Sequence, residues 1–509
     1  MKRILSILLS LTMFLSVAAC SIDSQNHSEG TKGSGDETEN EIASILEGDI
    51  AGEITVSSYD STFYKSYLEE AAIAFEAKYP GTKVTIDTFS QAPDVKTDGK
   101  GKKVITSNID QKSQDDYISR VNTELMTGEG ADVLAMDILP YYKYADNGQI
   151  EDLRLYMEQD KTFNQDQYRQ NILEAVRYKG GQYIFPLDYS FDFISYDKTL
   201  LQSDKQSAFQ PDGRYSYEQL IEMGQSSFTE VNTNHPPSPV KMFSLFSGAG
   251  KSNSIFNQLF TLDYDDFVDI ENRTANFKDG TFVNLLEKAK EYEEEGYLNI
   301  STQNGKTDMS DVLRKNASQE YIYKIHKDPM LLQAFDDSNK KKSIVNIGGS
   351  AIFEEDDAIA GILQNNENEI AFDFTQAYAL NSHSDNKKTA WEFIKFLASE
   401  EIQTSFNLVG RPINNKANEE KSKLQMTGEL YASEKNTDTL ELNEEQTKLF
   451  HNYMDAINKY SNMLNTYMLQ DTVINQMVNA EVKYFFDGSK SADDVANILQ
   501  NRVELYLHE

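Results

Sequence analysis

The fold is decided by the stretch Leu173–Leu201, which reads LEAVRYKGGQYIFPLDYSFDFISYDKTLL. It begins as an apolar helix end, and the two glycines at 180 and 181 predict a turn. Tyr183–Phe185 predicts a short strand that stops at Pro186, because proline lacks a backbone N–H and fixes φ. Phe191–Tyr196 alternates and predicts a second strand. Such a pair is typical of a chain that leaves one sheet and enters another, although an ordinary strand–turn–strand gives the same local pattern.

The same stretch resembles the crossover between lobes in extracellular solute-binding proteins of the maltodextrin-binding type. The resemblance rests on Tyr178-Lys179-Gly180, then Tyr183 to Pro186, then Tyr196-Asp197-Lys198. It implies an α/β, two-lobed, periplasmic-binding-protein-like fold of class II type, with hinge-linked lobes and a helical C-terminus. The implied N-terminal lobe comprises residues 50–185 and 374–411, and the implied C-terminal lobe comprises 186–373 and 412–509.

Further blocks resemble the same family in the same order along the chain. They are Gly128–Val133, Asn147–Leu153, Tyr215–Leu220, Ile370–Leu380 as the second crossing between lobes, Ala390–Leu397 and Gly410–Asn414. The resemblance covers about residues 50 to 509, and 91–110, 201–214 and 301–343 match poorly. No single block is decisive, but their shared order favours the family.

Size and charge limit the possible functions. A chain of 509 residues permits two to four domains. Its formal net charge is −34, from 82 acidic and 48 basic residues. Phosphate contacts need clustered Lys and Arg, so this composition argues against a nucleic-acid partner. The six histidines are scattered without metal-ligand spacing, so no metal is expected.

The N-terminus predicts export. Lys2 and Arg3 precede an apolar run that ends in small residues, which is a signal-peptide pattern over 1–19. The single cysteine, Cys20, closes the run and resembles the lipidated cysteine of bacterial lipoproteins; a plain secretory signal with a stray cysteine is the alternative. Residues 20–49 are polar and predict a flexible tether. The predicted location is the outer face of the cell membrane, held by the lipid anchor only.

The first lobe starts with a predicted β-α-β unit. Ile54–Val56 and Lys83–Phe89 predict parallel strands around a helix that Pro80-Gly81 ends. Residues 91–110 are polar and predict a loop. Trp391–Phe406 predicts one helix, in which Trp391, the only tryptophan, is expected to pack in the core. Residues 415–509 are predicted to be helical.

Motifs of enzymes are missing from the sequence. It has no His-Glu-x-x-His, Gly-x-Ser-x-Gly or paired-cysteine motif. The run 248–252 has only half of a phosphate-binding loop pattern. The acidic run 263–269 lacks the spacing of a calcium loop and predicts a solvated face. We therefore expect no catalytic residues, no cofactor and no metal.

Candidate ligand-binding residues follow from the rule that open α/β sheets bind ligands outside the carboxyl ends of their strands. Sugars suit such a place, since their hydroxyls bond to carboxylates and their ring faces stack on aromatic rings. Each residue alone has a plainer explanation as a cap, a surface tyrosine or a turn glycine. The candidates are Tyr59, Asp60, Asp137, Tyr141, Asp188, Tyr189, Gly349 and Ser350, with Ser247 and Arg411 as weaker additions.

The resemblance implies a lipid-anchored, monomeric solute-binding component of an ABC importer that captures a mono- or oligosaccharide and is not an enzyme. Its expected partners are the sugar and the permease subunits. Two alternatives stay open. The same fold could bind a non-sugar ligand for uptake or sensing, or the chain could be a surface enzyme that acts on a polysaccharide, which needs paired acids in a cleft.

Overall fold

The structure is a computed structural model. It describes residues 35–59, 62–89, 94–97, 103–106, 111–210, 213–234, 242–247, 254–297, 319–327, 332–335, 343–346, 351–354, 356–427 and 444–508. The predicted signal peptide and Cys20 therefore lie outside the described residues.

Sixteen helices are described. They are α1 Gly35–Leu46, α2 Thr62–Lys78, α3 Gln111–Met126, α4 Tyr141–Asp146, α5 Leu153–Gln159, α6 Gln170–Ala175, α7 Ser203–Gln206, α8 Tyr217–Asn234, α9 Ser254–Leu262, α10 Thr281–Glu294, α11 Lys387–Leu397, α12 Glu400–Gln403, α13 Asn415–Thr427, α14 Glu444–Ser461, α15 Thr472–Phe486 and α16 Ala492–His508.

The described strands come from both halves of the chain. They are β1 Gly52–Tyr59, β2 Thr82–Phe89, β3 Asp94–Thr97, β4 Lys103–Thr106, β5 Val133–Ala135, β6 Phe185–Pro186, β7 Asp188–Tyr189, β8 Asp192–Asp197, β9 Arg214–Tyr215, β10 Met242–Phe246, β11 Val268–Asp269, β12 Thr274–Ala275, β13 Gln319–Lys327, β14 Leu332–Phe335, β15 Ser343–Asn346, β16 Ala351–Glu354, β17 Asp357–Leu363, β18 Ala371–Phe372, β19 Ala377–Leu380, β20 Arg411–Pro412 and β21 Thr466–Tyr467.

Two five-stranded sheets organise the two lobes. The first has the order β2-β1-β5-β19-β6, and the second has the order β10-β13-β8-β17-β9. β1 pairs in parallel with β2 and β5, which confirms the predicted β-α-β unit. β19 joins the first sheet antiparallel to β5 and β6, so the chain returns to this sheet after building the second one.

The chain crosses between the sheets in the stretch that opened the sequence analysis. β6 belongs to the first sheet and β8 belongs to the second. Between them, the Leu187 N–H bonds to the Gln376 carbonyl (2.9 Å), and the Ile413 N–H bonds to the Leu187 carbonyl (3.0 Å). Ser190 and Asp373 form a further bridge. Three segments therefore run side by side at the hinge, near 187–190, 373–376 and 411–413.

The C-terminal helices pack on the second lobe. α15 and α16 pack together and against α10, and Val495, Leu499 and Val503 of α16 are fully buried, as their spacing predicts. Asp471 caps the start of α15 through the N–H groups of Val473 and Ile474. This cap fixes where α15 begins, at the boundary with the first lobe.

The prediction of an unordered tether over 20–49 is wrong for residues 35–46, which form α1. Ile42 is buried, and Ile45 and Leu46 pack beside it, so three apolar side chains lie on one face of the helix. That face packs against α5 and α11. Just beyond α1, the Ala51 N–H donates to the hydroxyl of Thr389 in α11 (3.1 Å). The same hydroxyl donates to the Ala51 carbonyl oxygen (2.7 Å).

Two other predictions also need correction. Residues 91–110 are not only a loop, because β3 and β4 pair antiparallel within them. The predicted helix over Trp391–Phe406 is two helices, α11 and α12, since Ser399 is extended (φ −73°, ψ 154°). Trp391 is buried in the core, as predicted, and its Nε1 donates to Asp160 (2.9 Å). Among the described helices, none combines the length and the apolar character that a membrane crossing requires.

Candidate functional site

Among the described residues, aromatic rings and the Asp137 side chain lie at the edge of the first sheet where β1 and β5 end. Tyr59 ends β1, and its ring packs against Phe89 at 6.3 Å and Tyr117 at 5.6 Å between centroids. Asp137 follows β5, and Tyr141 then opens α4. Because β1 and β5 are parallel neighbours, their ends place these residues on the same edge of the sheet.

A cavity of about 60 Å³ lies between the lobes at this edge. One wall is Met136–Tyr142 of the first lobe, and the other is formed by Tyr467, residues 469–473 and Tyr506 of the second. Asp137 and Tyr141, both predicted site residues, are in the first wall. The space suits only a few water molecules, so a larger ligand requires the lobes to move apart. We take this interlobe cavity as the candidate site.

Asp137 is the unusual group of the cavity. Its Oδ1 is buried and has no hydrogen-bond partner in the part of the chain that the structure describes. Burial raises the pKa of this carboxyl to about 7, against the opposing effect of its own and the Ile138 N–H groups. Its charge also raises the pKa of the nearby Tyr64, Tyr117 and Tyr378 hydroxyls, after the larger effect of burial. Asp137 Oδ1 can therefore accept a hydrogen bond that no described side chain donates.

Asp471, on the opposite wall, is fully engaged. Its Oδ2 accepts from the Tyr142 hydroxyl (2.6 Å) and the Tyr506 hydroxyl (3.0 Å), and its Oδ1 accepts from Val473 N (2.8 Å) and Ile474 N (3.1 Å). Tyr142 belongs to the first lobe, where the neighbouring Tyr144 bonds to Asn122 of α3 (2.6 Å). Asp471 thus joins the two lobes directly.

Charged groups add to this interlobe contact outside the cavity. Asp146, at the end of α4, pairs with Arg273 of the second lobe (2.7 Å) and with Lys179 (2.7 Å). The Lys179 N–H also bonds to Glu271 (3.1 Å). Helix α4 and the turn after α6 therefore contact the second lobe along one continuous edge.

Asp188, a predicted ligand-binding residue, lies at the hinge and is fully buried. Its Oδ1 accepts from Thr375 N (2.6 Å), and its Oδ2 accepts from the Thr375 hydroxyl. Burial raises its pKa to about 6, and these bonds, together with the charge of Lys421, oppose the rise. A Cβ added at Gly410 would collide with its carboxyl group. Asp188 holds the crossing segments together, and its contact with a ligand stays a prediction.

Tyr189 and Arg411 pair across the hinge, because β7 and β20 are antiparallel partners. Both are buried. Arg411 contacts the Met454 sulfur (3.8 Å), and the guanidinium of Arg169 lies 5.4 Å from the Tyr189 ring centre. Ser247 lies apart in the second sheet, where its Oγ accepts from Ile325 N (3.0 Å). Asp60, Gly349 and Ser350 lie outside the described residues.

Several buried polar atoms near the hinge lack a partner among the described residues. A buried polar atom normally has one, and a ligand is one explanation of an exception. The atoms are Ser58 Oγ at the end of β1, Tyr189 Oη, Ser190 Oγ and Gln376 Nε2. Three of them, those of Tyr189, Ser190 and Gln376, belong to the segments that cross between the sheets.

Sequence reasoning missed the second wall of the cavity, which comprises Tyr467, Gln470, Asp471 and Tyr506, and it named Tyr141 without Tyr142. The sequence does carry one signal, since Asp471 precedes the apolar run of α15 and marks a helix N-cap. That signal predicts where α15 begins, but it does not predict that Asp471 faces Asp137 across the cavity. Among the described residues, no group of three or more His, Cys, Asp or Glu is arranged to hold a metal ion.

Comparison with solved structures shows the fold. An extracellular solute-binding protein from Alicyclobacillus acidocaldarius is similar at 14% identity and a TM-score of 0.54, covering 91% of this chain and 100% of that one. A sugar-binding protein from Xanthomonas citri has 14% identity and a TM-score of 0.53, with 90% and 97% covered. An ABC substrate-binding protein from Listeria monocytogenes in complex with cycloalternan has 15% identity and a TM-score of 0.51, with 90% and 99% covered.

A family model agrees with the fold. The model described as "Bacterial extracellular solute-binding protein" matches residues 86–430, which is more than half of the 509-residue chain. The two lobes, the hinge of three crossing segments and the cavity between the lobes are the parts that such a protein needs. The chain therefore belongs to the bacterial extracellular solute-binding proteins.

Proposed function

We propose that this protein captures a carbohydrate between its lobes and delivers it to an ABC importer. The observation that carries the proposal is the interlobe cavity, where aromatic rings adjoin the unpartnered Oδ1 of Asp137. A carboxylate accepts hydrogen bonds from sugar hydroxyls, and aromatic rings cover the apolar face of a sugar ring. Sugar ligands named for similar folds, such as cycloalternan and a chitin oligosaccharide, support the same class.

The working cycle follows from the hinge. Contacts to a ligand from both walls stabilise the closed arrangement over the open one, and the permease responds to that difference. We propose the lobe limits 50–185 with 374–411 and 186–373 with 412–509. The strands of the two five-stranded sheets support them except at Pro186, which pairs with Ala377 in the first sheet. Tyr59, Asp60, Asp137, Tyr141, Asp188, Tyr189, Ser247, Gly349, Ser350 and Arg411 stay the proposed ligand-binding set.

A thermal-shift panel of mono- and oligosaccharides tests the proposal, because a ligand that binds only the native state raises the melting temperature. Calorimetric titration of any hit then compares the parent with Asp137→Ala. The variant should lose about 1.5–3 kcal/mol of binding free energy, the usual size of a hydrogen bond to a charged group. Asp204→Ala, an exposed acid on α7, is the matched control and should bind like the parent. If no sugar raises the melting temperature, the carbohydrate assignment is rejected.

The two alternatives make different predictions. A non-sugar ligand would raise the melting temperature where no sugar does. A surface enzyme would release products from a polysaccharide, and Asp137 and Asp188, whose charges both raise the pKa of Tyr378, are the acids to substitute. Product analysis after prolonged incubation separates catalysis from binding, and we expect the oligosaccharide to remain intact.

The remaining parts of the proposal concern attachment and assembly. A lipid on Cys20 after removal of residues 1–19 would hold the protein at the outer face of the cell membrane without any spanning segment. We propose that it works there as a monomer, with the permease as its protein partner and without nucleic acid, which its charge of −34 repels.

A further inference from the structure

The walls of the interlobe cavity contain acids but no bases. Asp137 and Asp471 are its charged side chains, and no Lys, Arg or His is among its described lining residues. An anion placed there would lie beside carboxyl groups with no cation among the described lining residues, although the Lys143 ammonium lies 3.8 Å from the centre of the Tyr506 ring. Burying a charge without a partner is unfavourable. A neutral or cationic ligand group avoids that cost.

The two acids differ in what they can offer. Asp471 already accepts four hydrogen bonds from two tyrosines and two backbone N–H groups. Asp137 Oδ1 has no described partner. The side chains whose pKa reflects the Asp137 charge are the tyrosines at 64, 117 and 378, none of them a cation. Asp137 therefore has a buried Oδ1 without a described donor, and its carboxyl group has no described counter-charge.

We propose that Asp137 sets the charge selectivity of the site, so that it binds amine-bearing sugars at least as well as neutral ones and rejects sugars that carry a carboxylate or phosphate. An ammonium group would supply both the missing donor and the missing charge for Oδ1. A hydroxyl group would supply the donor alone. The selectivity deepens the proposed carbohydrate function and rests on it.

Calorimetric titration with three linkage-matched trisaccharides tests the selectivity. The probes contain glucose, glucosamine or glucuronic acid, and they are titrated at pH 8 into the parent, Asp137→Asn and Asp204→Asn. Asn keeps the size of Asp137 and its ability to hydrogen-bond, but it removes the charge. In the parent and in Asp204→Asn, the glucuronic acid probe should bind at least tenfold more weakly than the glucose probe. In Asp137→Asn, the amine probe should lose about tenfold relative to the glucose probe.

The possible results separate this inference from the carbohydrate assignment. Equal binding of the acidic and neutral probes by the parent overturns the charge selectivity and leaves the carbohydrate function standing. If none of the trisaccharides binds, the same comparison is made with spermidine and tricarballylate. Binding of spermidine that Asp137→Asn abolishes then supports the charge selectivity without a sugar, whereas binding of tricarballylate, or of neither compound, overturns it. The melting temperature of Asp137→Asn must match or exceed that of the parent, which shows that the variant folds.

Discussion

Replacing Tyr142 by Phe removes one hydroxyl group from the contact between the lobes. In the structure that hydroxyl donates to Asp471 Oδ2 over 2.6 Å, and both side chains are buried. Burial, followed by the charge of Asp471, raises the pKa of Tyr142 far above its usual value, so the hydroxyl keeps its proton at any ordinary pH. The bond is therefore a constant link between a first-lobe helix and the cap of α15.

The free-energy cost of Tyr142→Phe depends on the hydrogen bonds that Asp471 retains in the variant. A hydrogen bond to a charged group contributes about 1.5–3 kcal/mol. Asp471 retains its bonds from Tyr506, Val473 and Ile474, so we expect the low end, about 1.5 kcal/mol. That energy favours the arrangement with the lobes in contact. The cavity must widen to admit a sugar, so this bond opposes binding. Since about 1.4 kcal/mol is a factor of ten, Tyr142→Phe should strengthen the apparent ligand affinity roughly tenfold.

Calorimetric titration measures this change, and small-angle scattering of the ligand-free protein should show a larger radius of gyration for Tyr142→Phe than for the parent. Tyr506→Phe is the matched control, because it removes a hydroxyl from the same Asp471 oxygen but within the second lobe. The control should lower the unfolding midpoint in urea and leave the affinity nearly unchanged. Equal changes of affinity in both variants, a loss of affinity in Tyr142→Phe, or a change only in Tyr506→Phe, would refute the assignment of the Tyr142 bond as an interlobe link.

Four more outcomes are expected. Asp188→Ala should lower the free energy of unfolding by about 2 kcal/mol in urea titrations, because the partly buried Thr375 N–H loses its acceptor. Gly410→Ala should cost about 1–3 kcal/mol in the same assay, since its methyl group would collide with the carboxyl at 188. Burial raises the pKa of Asp137 from 3.8 to about 7. The stability that its protonated form contributes is fully present below pH 4 and is lost as the pH rises through 7. Asp137→Asn should therefore stabilise the protein more at pH 8 than at pH 5, as unfolding in urea at the two pH values would show. Cys20→Ala should remove the lipid detectable by mass spectrometry and release the protein from membranes, and a membrane-bound variant would contradict the anchor.

Local patterns predicted several of the strands, and the family resemblance marked one pair of them as the hinge. Alternation and Pro186 gave the crossing, and the rule for strand ends gave Asp137 and Tyr141, because both depend on residues close in sequence. The hairpin of β3 and β4 was missed although Asp98-Gly99 is a turn signal between β-branched runs. Its polar composition outweighed that signal in the prediction of a loop.

Long-range packing could not be predicted in the same way. Asp188 was placed correctly along the chain, but its burial depends on Thr375, Gly410 and Lys421, which lie far away in sequence. Asp471 has the local pattern of a helix cap, and only the folded chain brings it to Tyr142, 329 residues away. No periodicity or motif in the sequence marks a residue that will face the other lobe. The wall of the cavity that contains Asp471 could therefore not be predicted from the sequence.

Helix α1 changes the mechanics of the molecule at the membrane. It is fastened to the first lobe through Ile42 and through the Ala51–Thr389 bonds, so a lipid on Cys20 would pull on that lobe alone. Only residues 21–34 would then separate the anchor from α1, and a chain of that length reaches at most about 50 Å. With such an anchor, the first lobe would be held close to the bilayer, and the second lobe would move relative to it each time the lobes open and close.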